Sequence, residues 1–165
     1  MRLYLLIWIS PFLLSAQVDY TYKSLDDAKV RPDLVYRLKL KNKGLTSFPK
    51  VLCSFPNLTE LDLSRNKITD FPSFISCMTQ LKILRLSKNR LENITDEILK
   101  LEKLEYLDLW DNDINELPLD IFKMTNLTHI DIRGVALRSS LYETYLLLAG
   151  NKQLFMSEPC QCQEE

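Results

Sequence analysis

Three glycines among 165 residues leave little material for a loop that cradles phosphate. Neither G-x-G-x-x-G nor G-x-x-x-x-G-K-[ST] occurs, so a nucleotide cofactor is not expected. Positive charge is not in excess either: 21 Lys and Arg stand against 22 Asp and Glu, a formal net charge of -1. Binding to a phosphate backbone rests on a basic surplus, which argues against nucleic acid as a partner. Histidine occurs once, at His129, which leaves little for metal ligation or acid–base chemistry. Runs of apolar residues long enough to span a bilayer as a helix are also missing. What remains is a chain that is 46% hydrophobic and 26% charged, enough apolar material for the core of one globular domain.

The longest apolar stretch opens the chain. Arg2 precedes a run from Leu3 to Leu14, broken at Ser10 and Pro11 and closed by Ser15 and Ala16. That order of charge, apolar run and small residues is the pattern of a secretory signal. Residues 1–16 are read as a signal peptide cleaved after Ala16, which leaves no transmembrane segment. A buried N-terminal strand or helix is the competing reading.

Beyond it the chain repeats every 23 residues. Val35, Leu58, Leu81, Leu104 and Leu127 fall in one column, and Leu38, Leu61, Leu84, Leu107 and Ile130 in another. Leu40, Leu63, Leu86, Leu109 and Ile132 form a third, and Leu45, Ile68, Leu91, Ile114 and Leu137 a fourth. Leu52, Ile75, Ile98 and Ile121, with Phe55, Met78, Leu101 and Met124, continue the register on the far side of each unit. The alternation within LTELDLSRN is that of a short strand with one buried face, and its recurrence at a fixed period is the mark of a solenoid. A further column holds Asn66, Asn89 and Asn112, interrupted by Lys43 and Val135 only at its ends. An amide carries donors and an acceptor, so a buried Asn where the strand bends satisfies backbone groups that no ladder reaches.

The pattern LxxLxLxxNxIxxxPxxIxxL resembles the leucine-rich repeat of the common class of about 23 residues. The resemblance spans Val35 to about Leu137 and implies an α/β fold: a short right-handed solenoid with parallel strands on its concave face. On this reading residues 17–34 are an N-terminal cap and 35–138 hold four units and a fifth strand. Residues 139–165 then form a C-terminal capping helix and a cysteine-containing tail. Exposed solenoid ends need such caps. Ser24 is placed to N-cap SLDDAKV, with Asp26 and Asp27 favouring the positive end of that helix. Ser140 and Glu143 have capping-box spacing, Gly150 suits the helix stop, and Leu141, Tyr145 and Leu148 are expected to cover the last coil.

Strand alternation sends the residues between the buried leucines to the concave surface. At the N-terminal end these are mostly charged, and Asp62 between Lys39 and Arg85 reads as a solvated salt ladder. Toward the C-terminal end, Ile83, Tyr106, Trp110 and His129 gather apolar and aromatic area, with Arg85, Asp108, Asp111, Asp131 and Arg133 around it. Exposed Tyr and Trp beside charges are the usual material of interface hot spots. These nine residues are the candidate site for a protein or peptide partner, presented by a monomer. The bland alternative is that Tyr106 and Trp110 merely cover the sheet, stacked on each other or on Arg133. His129 shares a face with Asp131, but Ser87 lies two strands away and no complete catalytic constellation appears. The chain is expected to be non-catalytic, with no metal and no cofactor.

Four cysteines are an even number, as in exported chains that form disulfides. Cys53 aligns with Ser76, immediately before Cys77, so these two are candidates for a bridge between stacked coils. Cys160 and Cys162 form a C-x-C pair in the polar tail and lack the other ligands of a zinc site. Asn57, Asn93 and Asn126 each fit N-x-[ST]. Export would make the chain a secreted or cell-surface binder. The alternative is an intracellular scaffold, similar to the cytoplasmic leucine-rich-repeat regulators of small GTPases, or a structural piece of a larger assembly.

Overall fold

The computed structural model describes residues 19–135 and 137–157. The signal-like segment 1–16, Cys160 and Cys162 lie outside the described residues. Seven parallel strands form one sheet in chain order: β1 (Thr21–Tyr22), β2 (Arg37–Lys39), β3 (Glu60–Asp62), β4 (Ile83–Arg85), β5 (Tyr106–Asp108), β6 (His129–Ile132) and β7 (Gln153–Met156). From β2 to β6 the register is constant, running Leu38, Leu61, Leu84, Leu107, Ile130. Each of β2 to β5 is followed by a return segment with one 3-10 turn, at Lys50–Ser54, Ser73–Cys77, Asp96–Lys100 and Leu119–Lys123. Pro49, Pro72 and Pro118 stand at the start of three of these turns and Thr95 at the fourth. Proline has its φ preset there and lacks the N–H that a first-turn position leaves unused.

Leucine and isoleucine of successive coils stack between the sheet and the turns into one continuous core. Each fully buried Leu contributes about 1.5–3 kcal/mol of transfer free energy. That term exists only when a neighbouring coil covers it, which makes the stack rather than the single repeat the stable unit.

The Asn ladder supplies the polar half of this packing. Asn89 Nδ2 donates to Leu63 O (3.1 Å) and Leu86 O (2.8 Å), and its Oδ1 accepts from Ile68 N at 3.1 Å. Asn112 repeats the set with Leu86 O, Leu109 O and Leu91 N. Asn66 does the same one coil earlier, its Oδ1 accepting from both Lys43 N and Leu45 N. No buried side-chain polar atom among the described residues lacks a partner.

The residue before each ladder position is left-handed: φ is 57° at Asn42, Arg65 and Lys88, 59° at Asp111 and 66° at Gly134. Such backbone costs a non-glycine residue about 1–2 kcal/mol. In return, the N–H of each of the first four donates to a carbonyl of the following coil, at Ser64, Ser87, Trp110 and Arg133, over 2.7–3.0 Å. The inter-coil bond holds the strained conformation.

The caps are built differently from the coils. Helix α1 (Leu25–Val30) starts at Ser24, whose side chain accepts from Asp26 N, and buries Ala28. Helix α2 (Ser139–Ala149) begins at Arg138 with no side-chain cap, so Ser140 lies inside its first turn and the Ser140–Glu143 capping box does not form. It turns Tyr145 and Ala149 into the core, with Leu141 packed against them. Leu148 faces solvent at 39% exposure, because helical spacing puts Ala149, four residues after Tyr145, on the inner face instead. The Tyr145 hydroxyl accepts from Leu117 N (2.7 Å) and donates to Leu117 O (3.1 Å). Lys152 Nζ donates to Met124 O and Leu127 O, both at 2.7 Å, and closes the carbonyl end of the last turn. No helix of the described residues is long and apolar enough to cross a membrane.

Candidate functional site

The concave surface is three outward columns laid across the sheet. One runs Arg37, Glu60, Ile83, Tyr106, His129 and then Gln153, and the next Lys39, Asp62, Arg85, Asp108, Asp131 and then Phe155. The third follows the strand ends through Lys41, Ser64, Ser87, Trp110 and Arg133.

At the C-terminal half, Tyr106 and His129 face each other with ring centroids 5.7 Å apart, and the Arg85 guanidinium lies 5.5 Å from the Tyr106 ring centre. Trp110 is 39% exposed, lies under the Lys88 ammonium at 4.3 Å and packs beside Gly134. Lys88 also pairs with Asp111 at 3.5 Å. Tyr106 opens β5 and Trp110 lies two residues past its end, with Asp108 between them, and the two rings do not stack on each other. Arg133 forks onto Asp131 and lies 5.6 Å from the Phe155 ring centre. The candidate residues therefore form two aromatic stations flanking a row of carboxylates, not one apolar patch.

Those carboxylates are held rather than solvated. Asp108 Oδ2 accepts from Ser87 Oγ at 2.7 Å and its Oδ1 from Trp110 N at 3.1 Å. Burial outweighs both bonds and raises the Asp108 carboxyl above the usual carboxylate range. Asp62 accepts from Ser64 N and Ser64 Oγ and is 7% exposed. The expected salt ladder through Asp62 does not form as such: Lys39 stands 4.0 Å from it, and Arg85 pairs with Glu60. The strand end curls over each Asp, so the short side chain bonds the backbone two residues on. Asp131 does the same with Arg133 N. His129 Nδ1 lies 2.8 Å from Thr128 Oγ1, and no carboxylate among the described residues comes within 4.0 Å of its ring. Among the described residues no cluster of His, Cys, Asp and Glu could hold a metal ion.

Phe155, 44% exposed on β7, belongs to the same surface and was not visible in the 23-residue register. β7 pairs with β6 at an offset of 24, His129 to Gln153, because α2 replaces the usual turn. The alternation in QLFM was the available signal. On the convex side Cys53 and Cys77 stand at disulfide-bonding distance with Cα atoms 5.4 Å apart, joining the first two return segments. Asn57 and Asn126 use their amides structurally, donating to Asp33 O and Glu102 O of the preceding coil at 2.8 Å each.

Family models for leucine-rich repeats match residues 56–101, as two copies, and 79–137. Comparison with curated protein sequences gave no match. Among solved structures the chain is similar to a leucine-rich-repeat protein of Leptospira interrogans, at 22% identity and a TM-score of 0.60, covering 82% of this chain and 46% of that one. It is similar to internalin C2 of Listeria monocytogenes at 21% identity and a TM-score of 0.63, covering 82% and 57%. The ectodomain of BIR2 from Arabidopsis thaliana aligns at 21% identity and a TM-score of 0.57, over 76% and 69%. The chain thus spans about half the length of the first two relatives. With the repeat models, the Asn ladder and the strand register in agreement, the chain belongs to the leucine-rich-repeat family.

Proposed function

We propose that this protein is an exported, non-catalytic binding module that captures a protein or peptide on the C-terminal half of its concave face. The observation that carries the reading is the pair of aromatic stations, half-buried Tyr106 with His129 on β5 and β6, and exposed Trp110 with Lys88 just past the ends of β5 and β4. Ile83, Arg85, Asp108, Asp111, Asp131 and Arg133 frame them. Aromatic side chains give large contact area for little lost rotamer freedom, and a preorganised sheet lowers the ordering cost of association. The Cys53–Cys77 pair supports export, since such pairs persist in oxidising compartments.

Tyr106→Ala combined with Trp110→Ala is expected to reduce capture from the extracellular fraction of the source cells by about tenfold or more, while far-UV circular dichroism is unchanged. Undiminished capture would move the site off these residues. Intact mass tests export separately. An exported species beginning at Gln17, gaining about two mass units per reduced bridge, is the expected result. A full-length, fully reduced species confined to the cytosol would favour the intracellular scaffold.

A further inference from the structure

The opposite end of the concave face carries a different chemistry. A cavity of ≈ 400 Å³ is lined by Lys23, Lys39, Lys41, Asn42, Lys43 and Arg65, five cations and one amide with no carboxylate among them. Among the described residues, no carboxylate lies within 4.0 Å of Lys23, Lys41, Lys43 or Arg65. The chain has a formal net charge of -1, so this convergence is a local segregation of charge and not the reflection of a basic protein. Lys23, Lys39 and Lys41 also line a larger cavity of ≈ 590 Å³ that runs on across the strands to Arg85, Ser87 and Asp108. The larger cavity also takes in Glu60 and Asp62, and it ends at Asp108, between Tyr106 and Trp110 in the chain, so the basic end and the aromatic residues border one continuous face.

We infer that the partner of this face is an extended polypeptide segment with a cluster of Asp or Glu at one end and an apolar or aromatic anchor at the other. The inference rests on the proposed concave binding. The acidic end lies over Lys41, Lys43 and Arg65, and the apolar end reaches Tyr106 and Trp110. From β2 to β5 or β6 is three or four strand steps of about 4.8 Å each, which roughly four to six residues of extended chain cover at about 3.3 Å apiece. Charge complementarity fixes the direction of the segment along this face. A uniform polyanion such as a sulfated glycan fits worse, because its far end would meet Asp108, Asp111 and Asp131.

A random twelve-residue peptide library displayed on phage, selected on the folded protein, tests this. Three proteins are compared: the wild type, a charge variant (Lys41→Gln, Lys43→Gln, Arg65→Gln) and the aromatic variant (Tyr106→Ala, Trp110→Ala), each checked by circular dichroism. Enriched peptides are expected to pair an Asp/Glu cluster with an aromatic or apolar residue four to six positions away. They should bind both variants about tenfold more weakly or worse and weaken with added salt. Peptides that need Tyr106 and Trp110 but show no acidic bias, and bind the charge variant undiminished, overturn the inference and leave the binding site standing. Peptides indifferent to the aromatic variant overturn both. A heparin oligosaccharide that binds the wild type and not the charge variant, with no acidic peptides enriched, also overturns it and makes the basic end a polyanion site.

Discussion

Asn89→Ala is expected to lower the unfolding free energy by about 2–6 kcal/mol, although Asn89 carries no charge. Its amide serves three backbone groups: the carbonyls of Leu63 and Leu86 and the N–H of Ile68. The side chain is 8% exposed and sits in the central coil, with neighbours stacked on both sides. Alanine orphans the Ile68 N–H, at about 1–3 kcal/mol, and removes one of two amide donors from each carbonyl, since Leu63 O keeps Asn66 Nδ2 and Leu86 O keeps Asn112 Nδ2, at about 0.5–1.5 kcal/mol per lost bond. Asn89→Asp keeps the acceptor for Ile68 N but loses both donated bonds and places a charge against two carbonyls, so it offers no rescue. Urea denaturation measures the change as a drop in midpoint. A drop equivalent to less than about 1 kcal/mol would mean that water replaces the amide and that the ladder is not what binds coil to coil.

The second large effect lies at the C-terminal cap. Tyr145→Phe removes one oxygen and is expected to cost about 2–4 kcal/mol, because the N–H and C=O of Leu117 lose their partner together in a buried site. Tyr145→Ala adds a cavity beneath α2, bringing the loss to about 5 kcal/mol or more. If the two variants lose equal stability, the ring rather than the hydroxyl carries the cap. Burial pushes the phenol's pKa above its ordinary value, outweighing the hydrogen bond with Leu117, which pulls it down. The folded chain therefore keeps a proton that the unfolded chain releases, and stability from this group falls as pH rises past about 10. Thermal unfolding of the wild type and Tyr145→Phe across that range should show the wild type alone losing this increment.

Much of the scaffold is legible in the sequence because it is made of repeated, residue-specific demands. A leucine is needed wherever a coil faces its neighbour, an asparagine wherever the strand bends, and a proline where the return begins. The left-handed positions were not legible, since Asn42, Arg65, Lys88, Asp111 and Gly134 share a backbone angle and no side-chain type. Their common cause is an inter-coil hydrogen bond that sequence does not display. The same limit hid the fate of Asp62 and Asp108. Alternation placed both on the concave face, but each folds back to serine and backbone groups of the curling strand end. At the site, the sequence located the aromatic residues and missed how they are divided, because what separates Tyr106 from Trp110 is the held carboxylate between them. It missed Phe155 because α2 shifts the last strand by one residue and breaks the period on which the reading depended.

A bridge closed between Cys53 and Cys77, which stand at disulfide-bonding distance, would have a mechanical consequence. These residues are 24 apart in the chain and belong to successive return segments. If the protein is pulled by its two ends, coils can peel away one at a time, because each holds mainly to its neighbours. A closed bridge interrupts that peeling. The loop it spans would extend by about 80 Å at about 3.3 Å per residue, and while the bond is intact that length stays out of reach of the force. A tethered molecule then shields residues 53–77, with β3 among them, from loads that unravel the coils on either side.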